Sequence, residues 1–224
     1  MLEKYQIEFI NFLLSANVLQ FGEFKLKSGR LAPYFINAAN FNNGELISEL
    51  GRFYADHIVS SNLGKIDNIF GPAYKGIPLA VTTCISLFKN HDIKCGYSFD
   101  RKETKLHGDG GKIVGMKLEK DMRLVIVEDV ITAGTTLSEI VPALRNSAEV
   151  EIAAVVISVD REEKGSSNTS ALKEIQDRLG IKILPIVAIS QIIDYLASPQ
   201  AGIYTLDSDI LDRIAKYRSE YAAK

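Results

Sequence analysis

Leu124-Val125-Ile126-Val127-Glu128-Asp129-Val130-Ile131-Thr132-Ala133-Gly134-Thr135-Thr136 changes character twice within one short run. Four consecutive aliphatic residues suit a central parallel strand covered on both faces. Thr136 with Glu139 makes a candidate capping box, which predicts a helix running through Leu144. Strand, turn and helix in that order form a βα unit. Between strand and helix, Thr132 to Thr136 offer backbone N–H groups and hydroxyls with little bulk, at the positive end of a helix dipole, which is a cradle for phosphate. The run lacks the Lys of a GxxxxGK[ST] loop and the three spaced glycines of a dinucleotide turn, so neither motif accounts for it. Glu128 and Asp129 would repel a phosphate. Beside one, they suit hydrogen bonds from sugar hydroxyls or a hard cation bridging the anion. An isolated acid pair would simply end a strand, but this unbroken succession points to a phosphorylated sugar, with phosphate in the loop and diol on the acids.

Outward from this run the pattern repeats. A helix from Gly44 to about Ser60, a strand Asn68 to Phe70, a helix Ile77 to Lys89 and a strand Lys94 to Phe99 precede it; a strand Ile152 to Val159, a helix Ala171 to Leu179 and a strand Ile181 to Ile189 follow. Alternation of this kind means βαβ units, right-handed crossovers and a parallel sheet, with ligands outside the carboxyl ends of the strands. Ahead of it, an amphipathic helix spans 2–19, and Phe21 to Leu26, the Ser28-Gly29-Arg30 turn and Pro33 to Asn37 read as a hairpin outside the main sheet. Gly165 to Ser170 reads as a flexible loop, and Ile203 to Ala223 as a terminal helix packed on the surface. The expected organisation is one domain over 1–224, with N-terminal helix and hairpin in 1–43, an α/β core in 44–190 carrying a mobile lid at 100–112, and a helical tail in 191–224.

Three further segments carry candidate chemistry. Gly71-Pro72-Ala73-Tyr74-Lys75-Gly76 also follows a strand and opens a helix; read functionally, its glycines admit a ligand close to the backbone and Lys75 brings a cation to pyrophosphate. Read locally, it is a plain Gly-Pro turn. The segment Asp100 to Lys112 has four Lys or Arg, His107 and three glycines without apolar periodicity. That composition suits a solvated hairpin tip or a cationic lid closing over an anion. Arg161, at a strand end, offers either a carboxylate clamp or a salt bridge to Asp160, Glu162 or Glu163.

Composition bounds the rest. The 224 residues are 46% hydrophobic and 24% charged, with net charge -2 and pI near 6.0, so there is no basic footprint for nucleic acid. Apolar runs fall short of the ~20 residues a membrane helix needs, and Met1 to Tyr5 mixes acid and base unlike a signal peptide. The expectation is a cytoplasmic protein without membrane or nucleic-acid partners. Cys84 and Cys95 lack CxxC or His spacing and read as buried thiols rather than a zinc or redox pair. His57 and His91 read as helix-surface residues.

The central run resembles the signature of the phosphoribosyltransferases, which share phosphoribosyl pyrophosphate (PRPP) as substrate. Adding Phe24 to Arg30 with Pro33-Tyr34-Phe35, the Gly71 to Gly76 turn, Arg101 to Gly111 and Asp160-Arg161, the chain is similar to the orotate phosphoribosyltransferases. The resemblance implies an α/β type I phosphoribosyltransferase fold, a parallel central sheet flanked by helices with a small hood formed largely by the N-terminal hairpin. It implies transfer of the phosphoribosyl group of PRPP to N1 of orotate, giving orotidine 5'-monophosphate and pyrophosphate. It further implies Mg²⁺ arriving with PRPP, possible metal contacts only near Glu128 and Asp129, and a homodimer whose lid serves the neighbouring subunit. Matching positions for PRPP are Lys27, Tyr74, Lys75, Arg101, Lys102, Lys105, His107 and the run Glu128, Asp129, Val130, Ile131, Thr132, Ala133, Gly134, Thr135 and Thr136. Those for orotate are Phe35, Ile36, Thr132 and Arg161. Lys105, His107 and Asp129 are the catalytic candidates. The sequence departs from the family pattern at Leu106, Asp109, Ala32 and Ile36. A PRPP-sensing regulator would need a nucleic-acid surface that the sequence lacks, and a purine phosphoribosyltransferase is disfavoured by Lys27 and Arg161.

Overall fold

The computed structural model describes residues 2–26, 29–102, 112–131, 134–167 and 169–223. Leu124 to Val127 form the middle of a strand and are entirely buried. Their side chains alternate: Val125 and Val127 join one apolar cluster, Leu124 and Ile126 the other, as the two-residue period of a strand requires. One sheet thus carries a core on each face.

In chain order the elements are α1 (Lys4–Ser15), β1 (Leu19–Lys25), β2 (Leu31–Ile36), α2 (Gly44–Ser60), β3 (Asn68–Phe70), α3 (Gly76–His91), β4 (Gly96–Asp100), β5 (Ile113–Gly115), β6 (Arg123–Glu128), α4 (Thr135–Ala148), β7 (Glu151–Asp160), α5 (Ala171–Leu179), β8 (Ile183–Ala188), α6 (Ile189–Leu196) and α7 (Ser208–Tyr221). β1 and β2 pair as an antiparallel hairpin apart from the main sheet, whose order is β5-β4-β3-β6-β7-β8. β3, β4, β6, β7 and β8 are parallel; β5 runs antiparallel to β4. The sheet is therefore mixed rather than wholly parallel.

α1, α2, α3 and α6 cover one face through Phe9, Leu13, Phe53, Tyr54, Leu79 and Ile192, while α4 and α5 cover the other through Leu137, Val141, Leu172 and Ile175. Burying each such side chain contributes roughly 1.5–3 kcal/mol.

Several sequence expectations change. α4 starts at Thr135 behind Gly134 in the left-handed region (φ 67°), and no side chain caps it, so Thr136 and Glu139 make no capping box. The apolar run taken as a strand to Ile189 ends at Ala188, because Ile189, Ile192, Ile193 and Leu196 recur at helical spacing; the Ser190 N–H and hydroxyl both donate to Glu162 at the start of α6. Within the expected loop, Ser166 and Ser167 are held rather than loose: they donate backbone and hydroxyl hydrogens to the Glu174 carboxylate, which lowers its pKa to about 2. α7 spans Ser208–Tyr221 with Ile214 and Tyr217 buried, so the tail belongs to the core. His57 is buried, with Nδ1 2.8 Å from the Tyr5 hydroxyl, and burial lowers its pKa to about 4. His91 is paired with Asp56 at 2.8 Å. Cys84 and Cys95 are half-buried, and their sulfurs lie 3.6 Å apart as free thiols, a proximity that sequence spacing concealed.

Candidate functional site

Three neighbouring parallel strands, β3, β6 and β7, end side by side, and each continues into one of the segments singled out above. β3 leads into Gly71 to Gly76, β6 into Glu128-Asp129 and the Thr-rich turn, β7 into Asp160-Arg161. Register alone brings separate motifs into one row at the carboxyl edge, the ligand-binding edge of such sheets.

The first two segments meet directly. Lys75 Nζ lies 2.7 Å from Asp129 Oδ2. Lys75 and Tyr74 are exposed, whereas the Asp129 side chain is 14% exposed, so the cation reaches in from solvent to a carboxylate set at the sheet edge. Glu128 lies deeper. Burial first, and the adjacent Asp129 second, push its pKa from 4.5 to about 8, with Lys75 opposing. A proton there is retained near neutrality unless a cation or hydroxyl donor arrives to favour the charge.

The backbone beneath the acids is fixed by a helix and by the neighbouring strand. The Tyr54 hydroxyl, fully buried, donates to the Glu128 carbonyl at 2.6 Å. Ser158 donates its N–H and hydroxyl to the Asp129 carbonyl at 3.0 and 2.5 Å. Sequence reading passed over both, since their partners are backbone oxygens remote in sequence.

The second cradle corrects one expectation. A Cβ on Gly71 would lie 1.9 Å from the Gly76 carbonyl oxygen, and one on Gly76 2.7 Å from the Gly71 carbonyl carbon. These glycines permit approach of the turn to itself, rather than of a ligand to the backbone. Asp100, ending β4, accepts from the Ala73 N–H at 2.6 Å and anchors the turn, a role its place beside the basic segment did not suggest.

Helix caps separate structural ends from site ends. Asn43, Ser170 and Asp207 cap α2, α5 and α7 with side-chain oxygens. α3 and α4, which begin at the two cradles, have no side-chain cap. At α3 the Gly76 and Ile77 N–H groups turn back onto the Pro72 and Tyr74 carbonyls, so the α4 start is the better placed of the two to serve an anion. Gly134 must be glycine on two counts, its positive φ and a Cβ position 2.4 Å from Ile175 Cδ1.

On the β7 side the salt-bridge alternative for Arg161 is realised. Arg161 Nη2 donates to Glu163 Oε1 at 2.5 Å, Tyr217 Oη donates to the same oxygen at 2.9 Å, and Arg30 Nη2 donates to Oε2 at 3.2 Å. The Arg161 guanidinium lies 5.8 Å from the ring centre of buried Tyr34, whose pKa burial raises to about 12. A cavity of about 400 Å³ joins this cluster to the β6 turn, lined by Arg30, Ile131, Asp160, Arg161 and Ile175 among others.

Phe35, 37% exposed, stacks on Phe24 in the hairpin at 5.6 Å, while Ile36 packs partly buried against the core. Val130 and Ile131 are half-buried, Thr135 exposed and Thr136 half-buried at the start of α4. Arg101 and Lys102 stand at the base of the basic segment. Lys27, Lys105, His107, Thr132, Ala133, Leu106 and Asp109 lie outside the described residues. Among the described residues no three His, Cys, Asp or Glu side chains cluster as a metal cage.

Comparison with known proteins assigns the arrangement. The phosphoribosyl transferase domain model matches residues 37–183. The chain is 43% identical to an orotate phosphoribosyltransferase of Clostridium acetobutylicum, with 100% of both chains covered. It is 46% identical to one of Bifidobacterium longum, again over 100% of each. The crystal structure of orotate phosphoribosyltransferase from Francisella tularensis superposes with a TM-score of 0.83 at 38% identity, covering 96% of this chain and 99% of that one. With its sheet order, its acid pair at the end of β6 and this full-length likeness, the chain belongs to the orotate phosphoribosyltransferase family, whose members carry the phosphoribosyl transferase domain.

Proposed function

We propose that the protein transfers the 5-phosphoribosyl group of PRPP to N1 of orotate, releasing pyrophosphate and forming orotidine 5'-monophosphate, a step of pyrimidine nucleotide synthesis. The observation that carries this reading is the row of strand ends, where the two acids closing β6 stand beside the arginine that follows β7, and the cavity lined by that arginine reaches Ile131 of the turn after β6.

In the reaction the orotate nitrogen attacks C1 of the ribose with inversion while the C1–O bond to pyrophosphate breaks. Orotate is already a nucleophile, so the protein's task is to position the substrates and stabilise charge. The turn Thr132 to Thr136 and the α4 N-terminus take the 5-phosphate, with Val130 and Ile131 forming the approach. Glu128 and Asp129 accept from the ribose hydroxyls, Asp129 being the catalytic member because it also holds Lys75. Lys75, Tyr74, Arg101, Lys102 and Lys27 face the pyrophosphate. Lys105 and His107 close over it, neutralising the leaving group or donating a hydrogen bond to it. Arg161 takes the orotate carboxylate, with Phe35, Ile36 and Thr132 along the ring.

Mg²⁺ fits this donor set on chemical grounds. Two hard carboxylates, with no third ligand clustered on them among the described residues, suit an ion carried by substrate oxygens. When bound it stabilises charge developing on the pyrophosphate. Glu128 and Asp129 are the residues that would approach it.

The reading includes a homodimer. Ile85, Phe88, Tyr97 and Met116, 39–53% exposed, form an apolar face on α3, β4 and the β5 edge, next to the base of the basic segment. Such a face favours burial against a second copy, and a lid anchored beside it would serve the partner's site. A cytoplasmic location follows from substrates that are polyanions unable to cross a bilayer unaided. No described helix is long and apolar enough to span a membrane. The one-domain organisation, with the hairpin as hood and 100–112 as lid, is part of the same proposal.

Steady-state assay of PRPP consumption with orotate, uracil, adenine and hypoxanthine tests the reading. Turnover is expected with orotate only; preference for another base would overturn the acceptor assignment.

A further inference from the structure

Glu163 has no place in the reaction as described, yet three donors from three distant parts of the chain converge on its carboxylate. Arg161 comes from the end of β7, Arg30 from the hairpin turn and Tyr217 from α7. The side chain is 16% exposed. Its backbone is fixed too: the Glu163 carbonyl accepts from the Ala171 N–H at 3.0 Å, and the residue forms a bridge with Ala222 beyond α7. A carboxylate so held is a rigid reference point.

Arg161 supplies a second, independent observation. Its Nη2 is engaged by Glu163, but its Nε is buried without a hydrogen-bond partner among the described residues, while the side chain lines the cavity shared with the β6 turn. Burying a donor unpaired is unfavourable unless a ligand supplies an acceptor. The guanidinium is thus held by Glu163 and by Tyr34, with which it also interacts through the hydroxyl, while its Nε keeps no partner among the described residues.

We propose that Glu163 is a positioning residue for acceptor recognition: its carboxylate, held by Tyr217 and Arg30, fixes the Arg161 guanidinium so that the remaining N–H donors face the acceptor's carboxylate. This rests on the reading of Arg161 as the orotate clamp. It assigns a function to the C-terminal helix, which reaches the acceptor pocket through the Tyr217 hydroxyl. Fixing an otherwise mobile arginine improves affinity by lowering the ordering cost of binding.

Charge alone predicts the opposite sign. The cluster of Arg30, Arg161 and Glu163 carries a formal +1, and deleting the carboxylate raises it to +2 beside an anionic substrate. Were Glu163 merely a competitor occupying Arg161, its removal would tighten orotate binding. The direction of the change therefore decides between positioning and competition.

The experiment is a double-mutant cycle read as separate KM values, with thermal melting as a check on folding. Glu163→Ala is expected to raise orotate KM about 10-fold, the effect of freeing one long side chain, with PRPP KM within about 2-fold. Glu163→Gln retains an oxygen to accept from Arg161 and Tyr217 and is expected to restore most of the affinity. In an Arg161→Ala background, Glu163→Ala should change orotate KM no further. If Glu163→Ala fails to fold, Tyr217→Phe takes its place, with a smaller orotate-specific rise that also vanishes without Arg161. An unchanged or lowered orotate KM overturns the proposal, as does an effect that persists in the Arg161→Ala background. If Arg161→Ala alone leaves orotate KM untouched, the clamp reading itself has failed, an outcome separate from failure of Glu163 to act through the clamp.

Discussion

β6 and β7 lie next to each other, and both end in acids at the same edge of the sheet, but the two ends are compensated in opposite ways. At β6, Glu128 and Asp129 share one solvent-exposed cation, Lys75, and the deeper carboxyl holds its proton to about 8. At β7 the terminal Asp160, its pKa raised by burial, accepts from the Glu162 N–H, and just beyond it Glu162 is met by Arg218 at 2.9 Å and by Ser190, and Glu163 by two arginines and a tyrosine. One end leaves charge to be balanced by what binds; the other is balanced by the protein in advance. The difference matches the chemistry proposed for each. A magnesium-laden sugar phosphate brings its own cation and hydroxyls, whereas a planar carboxylate needs an arginine already in place.

The largest expected effect concerns Lys105, in the segment proposed as a lid over the β6 side. Lys105→Ala should reduce kcat by about 10²-fold or more, as for loss of one preorganised donor at developing charge, with smaller changes in KM. Mixing inactive Lys105→Ala and Asp129→Asn chains tests whether that lid serves the neighbouring subunit. Random exchange makes half the dimers mixed, each with one intact site of two, so activity should recover to about one quarter of wild type. A mixture as inactive as its parents, with exchange verified by mass spectrometry, would mean that each lid acts on its own chain.

A smaller effect is expected at Gly134. An alanine there must adopt positive φ and press on Ile175, so Gly134→Ala should lower Tm by several degrees, given about 2–4 °C per kcal/mol at this chain length. PRPP KM should rise with orotate KM little changed. Adding Ile175→Val removes the atom nearest the new Cβ and should recover part of the lost stability, but not the part due to φ. Full recovery would show that space alone requires the glycine.

The smallest effect is a slope. Folded Glu128 keeps its proton to about 8, whereas the unfolded chain releases it near 4.5, so between those values the native state binds more protons. Stability therefore falls as pH rises through that window. Glu128→Gln, neutral throughout, should flatten the decline in urea-melt stability between pH 5 and pH 8, values taken from inside that window. An identical slope in both proteins would place the titration elsewhere.

What the sequence disclosed follows the range of the forces involved. The β6 strand, its acid pair and the following helix were legible because burial periodicity and turn chemistry act within a few residues; β3 and α5 were found at their observed bounds for the same reason. β5 escaped because Ile113 to Gly115 is a three-residue antiparallel edge, too short to alternate. α6 escaped because its apolar residues continue those of β8 without a break. At the site, Lys75, Glu128, Asp129 and Arg161 could be named in advance, since strand-end position already implies an outlook. Asp100, Tyr54, Ser158 and Glu163 could not, because each acts through a partner brought near only by the fold. The glycines at 71 and 76 were seen but misread, their partner being each other.

The division of the site between its two strand ends is tested most directly by measuring both substrate KM values in Asp129→Asn and Arg161→Ala side by side. Asp129→Asn removes a charge without volume and should raise PRPP KM while leaving orotate KM and thermal stability near wild type. Arg161→Ala should do the reverse, raising orotate KM by the equivalent of roughly 2 to 5 kcal/mol, as for truncating one partner of a buried charge pair. This crossed pattern is the predicted result. Equal effects of either substitution on both substrates, or both substitutions acting on the same substrate, would contradict it.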